Sequence, residues 1–319
     1  MKKERREYIK NCEISEAVTV DLGGYPQKIL LESAKAGAPV VLFLHGGPGF
    51  PVPFCVGARG CFPQITQEFT AVYWDQLGCG VNNRRIDDSF SIASFSAMTV
   101  ELIRYLKERF KEEKLFLFGI SWGSVLALDA AVAAPNLIDG AVAAGQVLLP
   151  PLLSEEFFSA AEASSAPNKV KERLREIRIQ TEKTNGDIAL ISKVARRYTD
   201  AYRGAKGGAK SPVKEIFAST DYRFCDALAC FSNGYRKNAS LMRELSKIDL
   251  REKFSRVEIP YTVYGGERDI VTPVKDVAEL FAQLKKENLK CVIGAGEGHI
   301  PEEAALDIIF AEFRRMASL

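Results

Sequence analysis

The chain has 319 residues, 47% of them hydrophobic, so it can bury a full core without disulfide or metal staples. Its 43 Lys+Arg against 41 Asp+Glu leave no charge excess that would draw it to nucleic acid or to an anionic membrane. No apolar run has the length of a membrane span, and the charged start MKKERREYIKNCEISEAV lacks the apolar segment of a secretory signal. Seven cysteines without Cys-x-x-Cys spacing predict reduced thiols and a cytoplasmic setting, and two histidines are too few for a His-rich metal site.

In chain order, EAVTVDL and QKILLES flank GGYP and read as a hairpin. PVVLFLHGG is a continuous apolar run ending in glycines, the pattern of a strand buried on both faces of a parallel sheet, and TAVYWDQLGCG repeats it. ASFSAMTVELIRYLKERF places Met98, Leu102, Ile103, Leu106 and Phe110 on a helical stripe. KLFLFG is the next strand, followed by a helix that stops near Pro135, and LIDGAVAAG is another buried strand. From Ser154 to about Lys247 the patterns are helical throughout, broken by the loop-like GAKGGAKSP at 204–212. The strand–helix rhythm then resumes with IPYTVYGG, VKDVAELFAQLKK, NLKCVIG and a last helix from Pro301. This alternation predicts an α/β fold, a mostly parallel sheet flanked by helices, in two parts (1–149 and 251–319) around an all-helical insertion at 150–250.

The stretch LFLFGISWGSVLALDAA carries Gly-x-Ser-x-Gly between a strand and a helix, the setting in which a tight turn lifts a nucleophile to its apex. Gly119 and Gly123 are small where the turn brings helix and strand together, so Ser121 is the candidate nucleophile. A serine needs a base, and the choice lies between His45 and His299. In this arrangement the order along the chain is serine, acid, histidine, which selects His299. The acid should leave a strand between the two. GGERDIVTP offers Asp269, with Glu267 as the fallback, while Asp75 precedes the serine and is assigned to stabilising its own DQLGCG loop. Two backbone N–H groups should bind the oxyanion, from Trp122 after the nucleophile and from Gly47 in HGGPGF. The chemistry implied is acyl transfer. Dehalogenase and epoxide hydrolase chemistry would need a carboxylate where Ser121 stands.

HGGPG, DQLGCG, GISWGSVLAL, GERDIVTP and GEGHI together resemble the proline iminopeptidase branch of the α/β-hydrolases. The resemblance implies a helical cap over the site, no cofactor, and release of one N-terminal residue, often proline, from short peptides. Its departures bear on substrate. Leu77 stands where the family motif has arginine, and Val81-Asn82 where it has Arg-Ser. Ile270 and Lys237 occupy the positions where glutamates hold the substrate's free amine. Arg236 and Lys237 instead become candidates for an anionic or polar substrate, and an ammonium beside them would be repelled. Glu155, Glu156, Asp221 and Asp226 are the remaining sources of an amine-binding carboxylate. Phe50, Phe54 and Phe62 are candidate walls of an apolar acyl pocket, with core packing as the alternative. Tyr198 and Tyr202 are read as packing within the insertion, and Cys79 either lies near the site or is buried and inert. The expected function is a serine hydrolase acting on a small molecule or short peptide. An aminopeptidase of proline iminopeptidase type leads; an esterase, lactonase or amidase without amine recognition is the alternative, and a non-catalytic binding protein comes last.

Overall fold

A computed structural model describes residues 2–51, 58–111, 113–179, 187–202, 216–232, 235 and 238–319. After a helix at Lys2–Lys10 (α1), Ile14–Leu22 (β1) and Tyr25–Ser33 (β2) pair antiparallel as the expected hairpin. Gly23 and Gly24 take its two-residue turn at positive φ, which glycine adopts without a Cβ penalty. Val40–Leu44 (β3), Thr70–Trp74 (β4), Leu115–Ile120 (β5), Gly140–Ala144 (β6), Tyr261–Gly266 (β7) and Leu289–Gly294 (β8) run parallel to one another. The 8-stranded sheet has the order β1-β2-β4-β3-β5-β6-β7-β8.

Every residue of β3 to β7 is buried, which is why these segments read as unbroken apolar runs. One face of the sheet packs against Ile92–Arg109 (α3) and Trp122–Ala133 (α4), through Phe95, Met98, Leu102, Val125 and Leu126. The other face packs against the C-terminal helix Glu303–Ala317, through Ile309, Phe310 and Phe313. Each large apolar side chain withdrawn from water is worth about 1.5–3 kcal/mol. The sheet is therefore the buried scaffold of the molecule, and the described loops at its carboxyl edge carry the candidate site residues.

Between β6 and β7 the described residues form helices, among them Glu155–Ala163 (α5), Asn168–Ile179 (α6), Ile188–Tyr198 (α7), Phe224–Ala229 (α8) and Ala239–Leu245 (α9). They carry a hydrophobic cluster of their own: Phe157, Phe158, Leu174, Ile177, Ile191 and Val194 pack together with Val271 from the loop after β7. The basic run Lys169–Arg178 is an exposed, ion-paired surface, with Arg173 on Glu176 and Asp187, Arg175 on Glu162 and Arg178 on Glu155. GAKGGAKSP lies outside the described residues. Among the described elements that carried no clear sequence signal are α1, whose charges hid it, the single turn Pro63–Thr66 (α2) and the short helix Arg251–Ser255.

Candidate active site

Strand β5 delivers Ser121 onto the N-terminus of α4 with φ 50° and ψ −118°, a left-handed conformation that costs a non-glycine residue roughly 1–3 kcal/mol. The turn holds because its surroundings fix it: the Ser121 N–H donates to Ala144 O at 2.9 Å and its carbonyl accepts from Ser124 N at 2.8 Å. Glycines make room for it. A Cβ on Gly119 would lie 2.6 Å from the Gly123 carbonyl oxygen, and one on Gly123 would overlap the Leu44 carbonyl.

His299, in the loop after β8, sets Nε2 2.9 Å from Ser121 Oγ and Nδ1 2.8 Å from Asp269 Oδ2. The bend after β7 closes on Asp269. Its Oδ1 accepts from the N–H groups of Val271 (2.8 Å) and Thr272 (3.0 Å), and its Oδ2 from Thr272 Oγ1 (2.9 Å). Burial alone would raise the Asp269 carboxyl, but the charge and hydrogen bond of His299, with the Thr272 donors, hold it below the ordinary value. His299 and Asp269 are both 3% exposed, while Ser121 is half-buried and reachable from outside. Gly145, at the end of β6, leaves space for the imidazole; a Cβ there would sit 2.9 Å from His299 Cε1. Glu267, the fallback acid, instead accepts from Gly296 N at 2.8 Å on the surface.

His45 has another part. It is fully buried, its Nδ1–H donates to Gly46 O at 2.8 Å, and its Nε2 accepts from Gln76 N at 3.0 Å. Burial pushes its pKa down to about 4, so the ring is a neutral strut. Gln76 extends the strut, donating to His45 O at 3.3 Å and accepting from the Trp122 indole N–H at 2.7 Å. The HGGPG loop, the DQLGCG loop and the nucleophile turn are thereby locked together. A Cβ on Gly46 would lie 3.5 Å from Ser121 Cβ, so this loop runs beside the serine. Gly47 is exposed, and among the described residues neither its N–H nor that of Trp122 has an acceptor. Asp75 does stabilise its loop, accepting from Val81 N at 2.9 Å and from the Tyr222 hydroxyl at 2.6 Å.

The residues expected to meet substrate fare differently. Phe50 is 38% exposed and meets Phe231 edge-on, with centroids 6.0 Å apart, whereas Phe62 is core. Phe54, Arg236 and Lys237 lie outside the described residues. Cys79 is buried, with its thiol donating to Gln76 O at 3.2 Å. The four carboxylates kept in reserve for an amine are each engaged by a cation of the protein: Glu155 by Arg178, Glu156 by Lys275, Asp221 by Arg59 and Asp226 by Arg223. Tyr198 packs in the helical cluster as expected, but Tyr202 does not: its ring meets that of His299 at 6.0 Å and 76°. Sequence reasoning also missed Gln76 and the role of Thr272, although both lie inside quoted motifs. A cavity of about 270 Å³ opens behind the acid loop, lined by Gln146, Thr272, Pro273 and Asp276 among others, and does not include Ser121. Among the described residues no cluster of His, Cys, Asp and Glu could hold a metal ion, and no helix is long and apolar enough to cross a membrane.

Residues 39–303 match the family model of the alpha/beta hydrolase fold. The chain belongs to the α/β-hydrolase family. Within it, this α/β-hydrolase falls in the proline iminopeptidase-like branch, since several of its relatives bear that name. It is 24% identical to "Probable aminopeptidase YbaC" of Bacillus subtilis (strain 168), an alignment covering 90% of this chain and 92% of that protein. It is 23% identical to a proline iminopeptidase of Arabidopsis thaliana, over 90% of this chain and 76% of the other. The crystal structure of a proline iminopeptidase of Mycobacterium smegmatis superimposes with a TM-score of 0.64 at 19% identity, covering 95% of this chain and 99% of that one, a likeness of fold.

Proposed function

We propose that this α/β-hydrolase is a serine hydrolase that cleaves a small acyl substrate through a covalent acyl-enzyme. The observation that carries the reading is the unbroken hydrogen-bonded chain from Ser121 Oγ through His299 to Asp269. Ser121 Oγ attacks the acyl carbon as its proton passes to His299 Nε2. Asp269 holds the Nδ1–H tautomer and offsets the positive charge that forms on the ring. The carbonyl oxygen, now anionic, accepts from the N–H groups of Gly47 and Trp122. The intermediate collapses, and the leaving group takes the proton from His299. A water molecule, deprotonated by the same imidazole, then releases the acyl group and restores Ser121. Residues 150–250 form a cap over this site, inserted between the core segments 1–149 and 251–319.

The relatives favour an aminopeptidase of proline iminopeptidase type, releasing one N-terminal residue from short peptides. A second reading, an esterase, lactonase or amidase without amine recognition, is favoured by a specific observation: Glu155, Glu156, Asp221 and Asp226 are all ion-paired within the protein. Ile270 and Lys237 point the same way. Two chromogenic prolyl anilides, one with a free amine and one N-acetylated, separate the readings by kcat/KM. A free-amine preference of orders of magnitude supports the aminopeptidase. Preference for the blocked anilide, or turnover of neither alongside hydrolysis of short-chain esters, supports the second.

A further inference from the structure

His299 is held from the sheet side by Asp269 through Nδ1, by the space Gly145 leaves against Cε1, and by Ser121 at Nε2. A contact of a different origin comes from the helical segment. Tyr202, four residues beyond the end of α7, meets the imidazole edge-to-face, with ring centroids 6.0 Å apart and planes at 76°. Tyr202 keeps 42% of its surface exposed against 3% for His299, so it stands on the outer side of the base. Its hydroxyl has no hydrogen-bond partner among the described residues, so the contact is made by the ring.

The helical segment is also fastened where the acid is set. Leu152 N donates to Val271 O at 3.0 Å, Ser154 Oγ to Ile270 O at 3.4 Å, and Lys275 pairs with Glu156. Val271, whose N–H donates to Asp269, is itself part of the segment's hydrophobic cluster. One body of helices therefore touches the loop of the acid and the ring of the base.

We infer that Tyr202 is a positioning residue: its ring restrains the His299 imidazole in the orientation that reaches Ser121 and keeps water off the His299–Asp269 bond. This rests on the triad reading proposed above. An imidazole that swings away from Ser121 loses its proton-transfer geometry, and water beside an ion pair weakens it. The effect belongs to the ring, so Tyr202→Phe keeps it, while Tyr202→Leu retains bulk but loses the aromatic contact.

The test uses a small fluorophosphonate, which needs an activated serine but little substrate recognition, together with kcat and KM for 4-nitrophenyl acetate. We expect Tyr202→Leu to slow inactivation about three- to tenfold and to lower kcat by a similar factor at unchanged KM and thermal midpoint. Tyr202→Phe should stay within about twofold of the parent protein. Tyr202→Ala serves as a second variant should the leucine repack. Wild-type inactivation rates in both Leu and Ala variants, a change confined to KM, or a loss in Tyr202→Phe equal to that in Tyr202→Leu would overturn the inference. Failure of the parent protein to be labelled on Ser121 would instead remove the triad reading beneath it.

Discussion

Asp269 would be a poor anion if burial were its sole influence, and its partners reverse that. At the scale of single residues this suits Asp269 to the part of the acid in the proposed triad. Asp269→Asn keeps the shape but offers Thr272 and His299 the wrong donors, favouring the imidazole tautomer that cannot take the serine's proton. We expect kcat to fall by about 10⁴, with KM changing little, in steady-state kinetics at pH 7–8. His45 yields a second prediction because its folded pKa, about 4, lies below the ordinary 6.5. Between those values the unfolded chain binds a proton that the folded one refuses, so stability is full above 6.5 and declines as pH falls through the window. The shift corresponds to about 3 kcal/mol. Glu32 works in the opposite sense. Burial outweighs the Gly60 N–H and Arg59 and raises it from 4.5 to about 7, so its contribution is full below 4.5 and is lost as pH rises towards 7. A comparison with His45→Gln cancels the Glu32 part. In urea unfolding, the advantage of the parent protein over His45→Gln should shrink by about 3 kcal/mol from pH 7 to pH 4. A constant difference would show that His45 does not titrate in this window.

The nucleophile turn depends on how closely α4 packs under β3, and here a single methyl group decides. Gly123, the second residue of α4, lies directly beneath the carbonyl of Leu44, a backbone group that cannot step aside as a flexible side chain would. Gly123→Ala would gain roughly 1 kcal/mol of helix propensity. The overlap should cost more, so we expect a net loss of stability of about 1–3 kcal/mol in chemical unfolding. Activity should fall further than stability, because the shift of α4 moves Ser121 relative to His299 and to the Gly47 N–H of the proposed oxyanion hole. A variant of unchanged or higher stability would mean that the turn is looser than its geometry indicates. The helical segment meets the core at the loop after β7 and at His299, and also at Asp75 and Arg59, so changes in those helices have several routes to the candidate site.

For the whole molecule, what could be read in advance followed from distance along the chain. The buried parallel strands announce themselves as apolar runs, and the order of Ser121, Asp269 and His299 follows from which strand ends carry them. His299 was separable from His45 by position relative to the serine, whereas what sets Asp269 apart from Glu267 is the set of groups that surround it, Val271 N, Thr272 and His299, which only the folded chain assembles. The contacts that escaped join residues remote in sequence. Nothing within the chain around residue 202 marks Tyr202 as the neighbour of His299, about a hundred positions away. Likewise Arg59 is paired with Asp221, and Lys275 with Glu156, across gaps that no local pattern spans. Amphipathic spacing located the helices between β6 and β7 but not what their charges meet. α1 was hidden because a short charged helix lacks the apolar stripe by which helices are recognised.

The central claim is that Ser121 becomes acylated. Acid-quenching the protein during turnover of a 4-nitrophenyl ester, followed by mass analysis of its peptides, tests it most directly. One acyl group per chain is expected on the peptide containing Ser121, absent from Ser121→Ala and depleted when hydrolysis is allowed to finish. Turnover without any adduct on that peptide, or with the acyl group on another residue, would contradict it.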